Sequence, residues 1–432
     1  MKHTFCGLDF GTTNSTIGIV KERPFLVPLE EDHSYIPSAI FIDEESGDWS
    51  FGRAAVEKYM EGHDGRLMTS LKSLLGSSLM SERTLIGHRY YAFEEILEKF
   101  LGMIKSSAER SLCHPIHDVV VGRPVHFKND APNTDHLAQE MLTRILRTIG
   151  FDRIVFMYEP VAAGMVFYAE IPQENHLCLV VDIGGGTSDF SVIQVEPPRG
   201  RDASAGFKVL ASNGIPIAGN DFDQDISIRL VMPHLGLGST IKSFSNPAIP
   251  FPKHFFYDLS SWRLINRLYN NNTILSLKDL VHVSNDKVRT ARLLKVIQER
   301  HGHAINKGVE DQKKTLSDAG PSLLNLEYIA SDLRIPIGSG EINQAIHNSL
   351  AKVVTMAERT MKDAGVHAHQ IDQVLFVGGS TKLPLVQESI MSLVPEGKKV
   401  IKEAFGSIGL GLTLEAAKRF GSTPALRGGD IR

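Results

Sequence analysis

Two short stretches of this chain place an aspartate at the end of an apolar run and follow it with glycine and threonine. They are Asp9-Phe10-Gly11-Thr12-Thr13-Asn14-Ser15 and Asp182-Ile183-Gly184-Gly185-Gly186-Thr187-Ser188-Asp189. Glycine lets backbone N–H groups come close to a phosphate, and threonine hydroxyls add donors. An aspartate cannot touch phosphate directly, because both are negative; it makes sense there with a cation such as Mg²⁺ between them. The first stretch alone could also be a polar hairpin. The second has three successive glycines, where a plain hairpin needs one or two. Together they predict one phosphate and metal site.

Three other groups of residues could serve it. In Tyr158-Glu159-Pro160-Val161-Ala162-Ala163 the proline suits a first helical position, so Glu159 falls at a strand-to-helix junction near a positive helix end. Its carboxylate either caps the helix or positions an attacking water. Ala162 and Ala163 keep that helix thin enough for close packing. Glu310, Lys313, Lys314 and Ser317 share one helix face. They form either a salt-bridged stripe or a polar shelf for ribose hydroxyls and an adenine edge. In Gly378-Gly379-Ser380-Thr381-Lys382-Leu383-Pro384 a flat ring can lie against glycine, and a helix beginning near Pro384 adds free donors.

The elements that must carry these residues alternate in type. Residues 5–10 and 16–20 read as strands around the first turn, and 177–183 and 190–195 as strands around the second. Further strands are expected at 118–122, 154–157 and 373–377. Helices are expected at 53–60, 92–110, 134–149, 161–169, 344–364 and 384–394, the one at 134–149 from its apolar stripe. The strand-Asp-x-Gly-turn-strand theme occurs twice, which suggests two similar α/β lobes. Residues 236–305, with a Pro/Phe-rich piece from Asn246 to Phe256 and an Asn run at 270–272, read as an elaborated, surface-facing subdomain.

Composition narrows the classes. The 432 residues carry a net charge of -4 and no dense basic cluster, which argues against a nucleic-acid partner. The three cysteines, Cys6, Cys113 and Cys178, give neither a metal spacing nor a disulfide framework. No run approaches a membrane span, and no signal peptide is legible at the N-terminus, so a cytoplasmic protein is expected. The Gly-x-x-x-x-Gly-Lys phosphate loop, the dinucleotide turn, the Gly-x-Ser-x-Gly elbow and the zinc helix are all missing from the sequence.

In their order and spacing these motifs, together with Ser70-Leu71-Lys72 and Gly219-Asn220-Asp221-Phe222-Asp223, resemble the heat-shock 70 (DnaK-type) family of the actin/sugar-kinase superfamily, from Phe5 to about Ala417. Val120-Val121-Gly122-Arg123-Pro124-Val125-His126-Phe127 and Phe405-Gly406-Ser407 look more like its short YegD-type branch, which lacks a peptide-binding half.

The resemblance implies an actin-like ATPase (ribonuclease H-like) fold. Residues 1–171 with 401–432 would form lobe I, with 38–115 as its outer subdomain. Residues 172–400 would form lobe II, with 218–347 as its enlarged outer subdomain. The cofactors implied are ATP or ADP with Mg²⁺, and K⁺ as a further ion. Asp9, Glu159 and Asp182 would lie near the metal. Gly11, Thr12, Thr13, Asn14, Gly184, Gly185, Gly186 and Thr187 would hold phosphates. Lys72 would reach the γ-phosphate and, with Glu159, place the attacking water; Asp182 and Thr187 complete the catalytic set. Gly219, Glu310, Lys313, Lys314 and Ser317 would hold the nucleoside, flanked by Gly378, Gly379, Ser380 and Lys382.

Lys382 stands in place of the family's usual arginine, and Phe405 where the main family has an aspartate near the base. The expected activity is slow ATP hydrolysis, with lobe movement read by a protein partner. An actin-like filament protein, a sugar or acid kinase and a nucleotide sensor without hydrolysis are the alternatives. The sequence leaves no room after the resemblance for a peptide clamp, so the nucleotide-binding half alone is expected.

Overall fold

Each of the two aspartate stretches ends the middle strand of a five-stranded run. In the first sheet β1 (Phe5–Phe10) lies antiparallel to β2 (Asn14–Val20), which continues into β3 (Pro24–Leu26). On its other side β1 is parallel to β4 (Asp118–Arg123), and β4 to β5 (Arg153–Tyr158). The second sheet repeats this order. There β6 (His176–Ile183), β7 (Ser188–Val195) and β8 (Phe207–Ile215) form the antiparallel meander, and β9 (Gln373–Val377) and β10 (Lys398–Ile401) add in parallel beside β6.

The repetition seen in sequence is therefore a repeated topology. The computed structural model of the chain describes residues 4–77, 80, 82–125, 127, 132–168, 175–196, 207–242, 249–262, 264–318, 322–401 and 406–421. It divides into two units: Met1–Ala218 with Lys352–Lys382 and Val386–Arg432, and Gly219–Ala351 with Leu383–Leu385.

Both sheets belong to the first unit. Leu8, Phe10, Ile17 and Ile19 bury against Ile96, Leu97, Phe100 and Ile104, the apolar stripe of the helix Phe93–Leu112. Between the sheets runs the helix Glu159–Tyr168. Its Ala162 packs with Val120, Leu412 and Ala416, while its Ala163 packs with Cys178, Val180 and Leu375. Larger residues would force the layers apart, so the thin helix expected from sequence has a clear structural reason. The helix Ser407–Phe420 comes just as close: a Cβ on Gly411 would sit 1.8 Å from the Ala162 carbonyl oxygen. That helix, like β8, was not anticipated. Its Ser-Ile-Gly-Leu-Gly-Leu opening reads against helix, because each glycine weakens one by about 1 kcal/mol.

The second unit contains the helices Gly219–Ile226, Asn271–Val283, Lys287–Gln298 and Gly302–Asp318 and the hairpin Ser322–Asn325/Arg334–Ile337. Asn270, first of the Asn run, caps its helix by accepting from the Thr273 N–H at 2.9 Å. Within the aromatic piece of residues 236–305, Phe251, Phe255 and Phe256 are buried, because their apolar area is better removed from water than presented to it. Residues 246–248 of that piece lie outside the described ones. Among the described residues no helix is long and apolar enough to cross a membrane.

Candidate functional site

The first unit brings Asp9, Lys72, Glu159 and Asp182 into one electrostatic cluster. Strand geometry explains the aspartates: each stands near the C-terminal end of a central strand, just before its turn. Glu159 opens the helix that follows β5. Lys72 lies in the one-turn 3₁₀ helix Leu71–Leu74, entered through Ser70 with φ +57°. A left-handed non-glycine residue costs roughly 1–2 kcal/mol, so surrounding structure must hold this turn in place.

Lys72 Nζ donates to Glu159 Oε1 in an ion pair whose two side chains are 7% and 8% exposed. Burial alone would pull the Lys72 pKa down, but the Glu159 and Asp9 carboxylates more than offset it and hold the ammonium charged. The acids carry the opposite strain. Burial, then the Glu159 charge, pushes Asp9 up to about 7 despite the help of Lys72. Asp182 is raised by burial, by Glu159 and by Asp189. Asp189 is pushed up to about 7 by burial and Glu159, partly countered by hydrogen bonds from Thr187 and from the Val125 N–H. Four acids around one lysine leave negative charge in excess, an environment completed by a cation.

Both glycine turns belong to this cluster. Gly184 N–H donates to the Thr187 carbonyl at 3.0 Å, closing the second turn. The first is held by Ser38, whose N–H donates to the Thr13 carbonyl and whose hydroxyl donates to that of Gly11, each at 2.7 Å. The turns pack on one another: a Cβ on Gly186 would come 2.9 Å from Thr12 Cγ2. Thr13 Oγ1 is buried and has no hydrogen-bond partner among the described residues, which suits a donor awaiting a ligand oxygen. Asn14, the first residue of β2, pairs with Pro37.

The Gly378–Lys382 turn joins the same group. Gly378 has φ +84°, and a Cβ there would meet the Ile183 carbonyl oxygen at 2.4 Å and Asp182 Oδ1 at 2.8 Å. Ser380 Oγ donates to the Gly184 carbonyl at 3.0 Å, tying this turn to the Gly184–Thr187 turn. Gly379 is partly buried beside it, and Lys382 is exposed.

The other expected nucleoside residues are in the second unit. Gly219 opens a helix and gives its carbonyl to Lys313 Nζ at 3.0 Å. Lys313 also pairs with Asp223 at 2.8 Å, both nearly buried. Glu310 pairs with Lys314 at 2.6 Å and Lys307 at 3.5 Å. Burial raises its pKa, and the Lys314 and Lys307 charges lower it further than burial raises it. Ser317 lies in the same helix, with its side chain outside the described residues, as is Phe405.

Among the described residues no group of three or more His, Cys, Asp or Glu is placed to hold a metal by itself. The donor set still fits magnesium. Mg²⁺ keeps several waters and takes one or two carboxylates plus substrate phosphates. Asp9, Asp182 and the second oxygen of Glu159 are the carboxylate donors for it, while Glu159 Oε1 pairs with Lys72 and Asp189 accepts from the Val125 N–H.

Sequence reasoning passed over Asp189 and Ser38. Asp189 had a signal, since it lies two residues beyond Thr187, at the start of the strand that leaves the glycine turn. Ser38 had none, because only folding brings it to Gly11.

The family model described as "Hsp70 protein" matches residues 79–234 and 282–404. The chain is also similar to the chaperone protein DnaK of Ureaplasma urealyticum serovar 10 (strain ATCC 33699 / Western), at 27% identity over 406 residues. The match covers 91% of this chain and 54% of that protein, so the chain spans about half the length of this curated relative.

Proposed function

The chain belongs to the Hsp70 family, with the actin-like ATPase fold that membership implies, and on that premise we propose that it binds Mg-ATP and hydrolyses it slowly. The observation that carries this reading is the buried Lys72–Glu159 pair beside two interlocked glycine turns. In this reading Thr12, Thr13 and the Gly184–Thr187 turn bind the phosphates through hydroxyls and backbone N–H groups. Magnesium, when bound with the nucleotide, supplies charge neutralisation at the phosphates and would be held by Asp9 and Asp182 through water. Lys72 orients the γ-phosphate by its charge. Glu159, fixed by Lys72, accepts a hydrogen bond from the attacking water and aligns it. The nucleoside assignments expected from sequence, Glu310, Lys313, Lys314 and Ser317 in the second unit and Gly378, Gly379, Ser380 and Lys382 in the first, belong to the same proposal.

The lobe division, residues 1–171 with 401–432 against 172–400, belongs to this proposal. Nucleotide-dependent lobe movement, read by a protein partner, is its chaperone-like output; K⁺ is assigned as a second ion and the cytoplasm as the compartment.

Steady-state ATP turnover by purified protein tests the chemistry. We expect slow Mg²⁺-dependent phosphate release, reduced about 100-fold or more in Lys72→Ala and Glu159→Gln, as for loss of a group acting on the transition state. Turnover that persists unchanged in both variants would remove these residues from the reaction.

A further inference from the structure

Arg123 ends β4, in register beside Tyr158, the residue before Glu159. Its guanidinium donates three hydrogen bonds: Nε to the Pro124 carbonyl at 3.1 Å, Nη1 to Gln139 Oε1 at 2.6 Å and Nη2 to the Val125 carbonyl at 3.3 Å. All three acceptors are neutral. The same planar group lies over the Phe127 and Tyr158 rings, 5.3 Å from each centroid. The turn gathered in this way carries a donor the site uses, for the Val125 N–H bonds Asp189 Oδ1 at 3.1 Å. One side chain thus holds both the peptide that restrains Asp189 and the ring that precedes Glu159.

We propose that Arg123 is a positioning residue for hydrolysis, fixing Asp189 through the Val125 N–H and Glu159 through Tyr158. It touches none of the reacting groups itself. The role needs an arginine, because only a planar fork can bond three oxygens while stacking on two rings; a lysine offers a point charge. The proposal rests on the ATPase reading above, and its test separates the two.

The 432-residue chain is compared with Arg123→Ala, Arg123→Lys and Arg123→Met, with two readouts. The first is hydrogen exchange of the Val125 amide followed by NMR on ¹⁵N-valine protein. We expect it to speed up about tenfold or more in the folded alanine variant, the loss of roughly one well-made hydrogen bond. The second is single-turnover ATP hydrolysis beside ATP affinity. We expect the rate to fall about tenfold while affinity stays within about twofold, with no rescue by lysine. Should alanine fail to fold, methionine keeps the stem and removes the fork. An unchanged Val125 exchange rate overturns the proposal, and so does a rate and affinity that fall together. If the wild-type chain shows no turnover, the ATPase reading fails, and the Val125 exchange still decides whether Arg123 positions this turn.

Discussion

At the scale of single residues, the account turns on a lysine buried among acids. Removing one member of a buried ion pair typically costs about 3–5 kcal/mol, because the other charge is left uncompensated. Lys72→Ala should therefore destabilise the first unit by roughly that amount in denaturant unfolding. Lys72→Met combined with Glu159→Gln should recover most of the loss. Equal destabilisation by the single and double variants would mean that packing, not charge, holds the pair. The glycine turns make a different kind of prediction. Gly186→Ala sets a methyl against Thr12, so ATP binding should weaken about tenfold or more, and adding Thr12→Ser should restore part of it. Fluorescent-nucleotide titration reads both, and an unimpaired Gly186→Ala would uncouple the two turns.

At the scale of elements, the thin helix Glu159–Tyr168 sets how close the two sheets can come. Gly411→Val would drive side-chain atoms into the Ala162 backbone. It should lower stability by about 3 kcal/mol or more, or yield insoluble protein, whereas Leu410→Val on the same helix should be mild. A normal melting profile for Gly411→Val would show that the helices separate freely.

This is also where sequence legibility stopped. The strands around Asp9 and Asp182 were readable because short apolar runs end in unmistakable turns. The helix Phe93–Leu112 was readable from its stripe. The helix Ser407–Phe420 was not, since the glycines that let it approach Ala162 and Thr16 are the residues that argue against a helix. Strand β8 was not either, since its Ser212-Asn213-Gly214 reads as a turn rather than as strand. In the site, Asp9, Glu159 and Asp182 could be read from local patterns, and Lys72 only from the resemblance. The pairing of Lys72 with Glu159, 87 positions apart, is a product of topology that no local pattern encodes.

At the scale of the whole molecule, the second unit carries a buried histidine whose protonation opposes folding. His303 in the second unit is almost fully buried against Trp262 and Tyr269, with ring centroids 5.1 and 6.4 Å away. Burial lowers its pKa from 6.5 to about 3. A depressed histidine pKa means that the unfolded chain binds the extra proton first. Its contribution is intact above pH 6.5 and declines as the pH falls towards 3. At pH 4.5 the loss should reach roughly 2–3 kcal/mol. Hydrogen exchange should show residues 254–318 loosening on acidification, and His303→Phe should suppress the effect. Loosening that is identical in the variant would assign it to other groups.

The central claim concerns the first unit: that Asp9, Asp182 and the paired Lys72–Glu159 form a Mg-nucleotide site. Calorimetric titration of the purified chain with ATP, with and without Mg²⁺, tests it most directly. The account predicts saturable binding of one ATP that weakens about tenfold or more when Mg²⁺ is removed, and weakens again in Asp9→Asn with Asp182→Asn. Binding that ignores Mg²⁺ and both aspartates, or no binding at all, would contradict it.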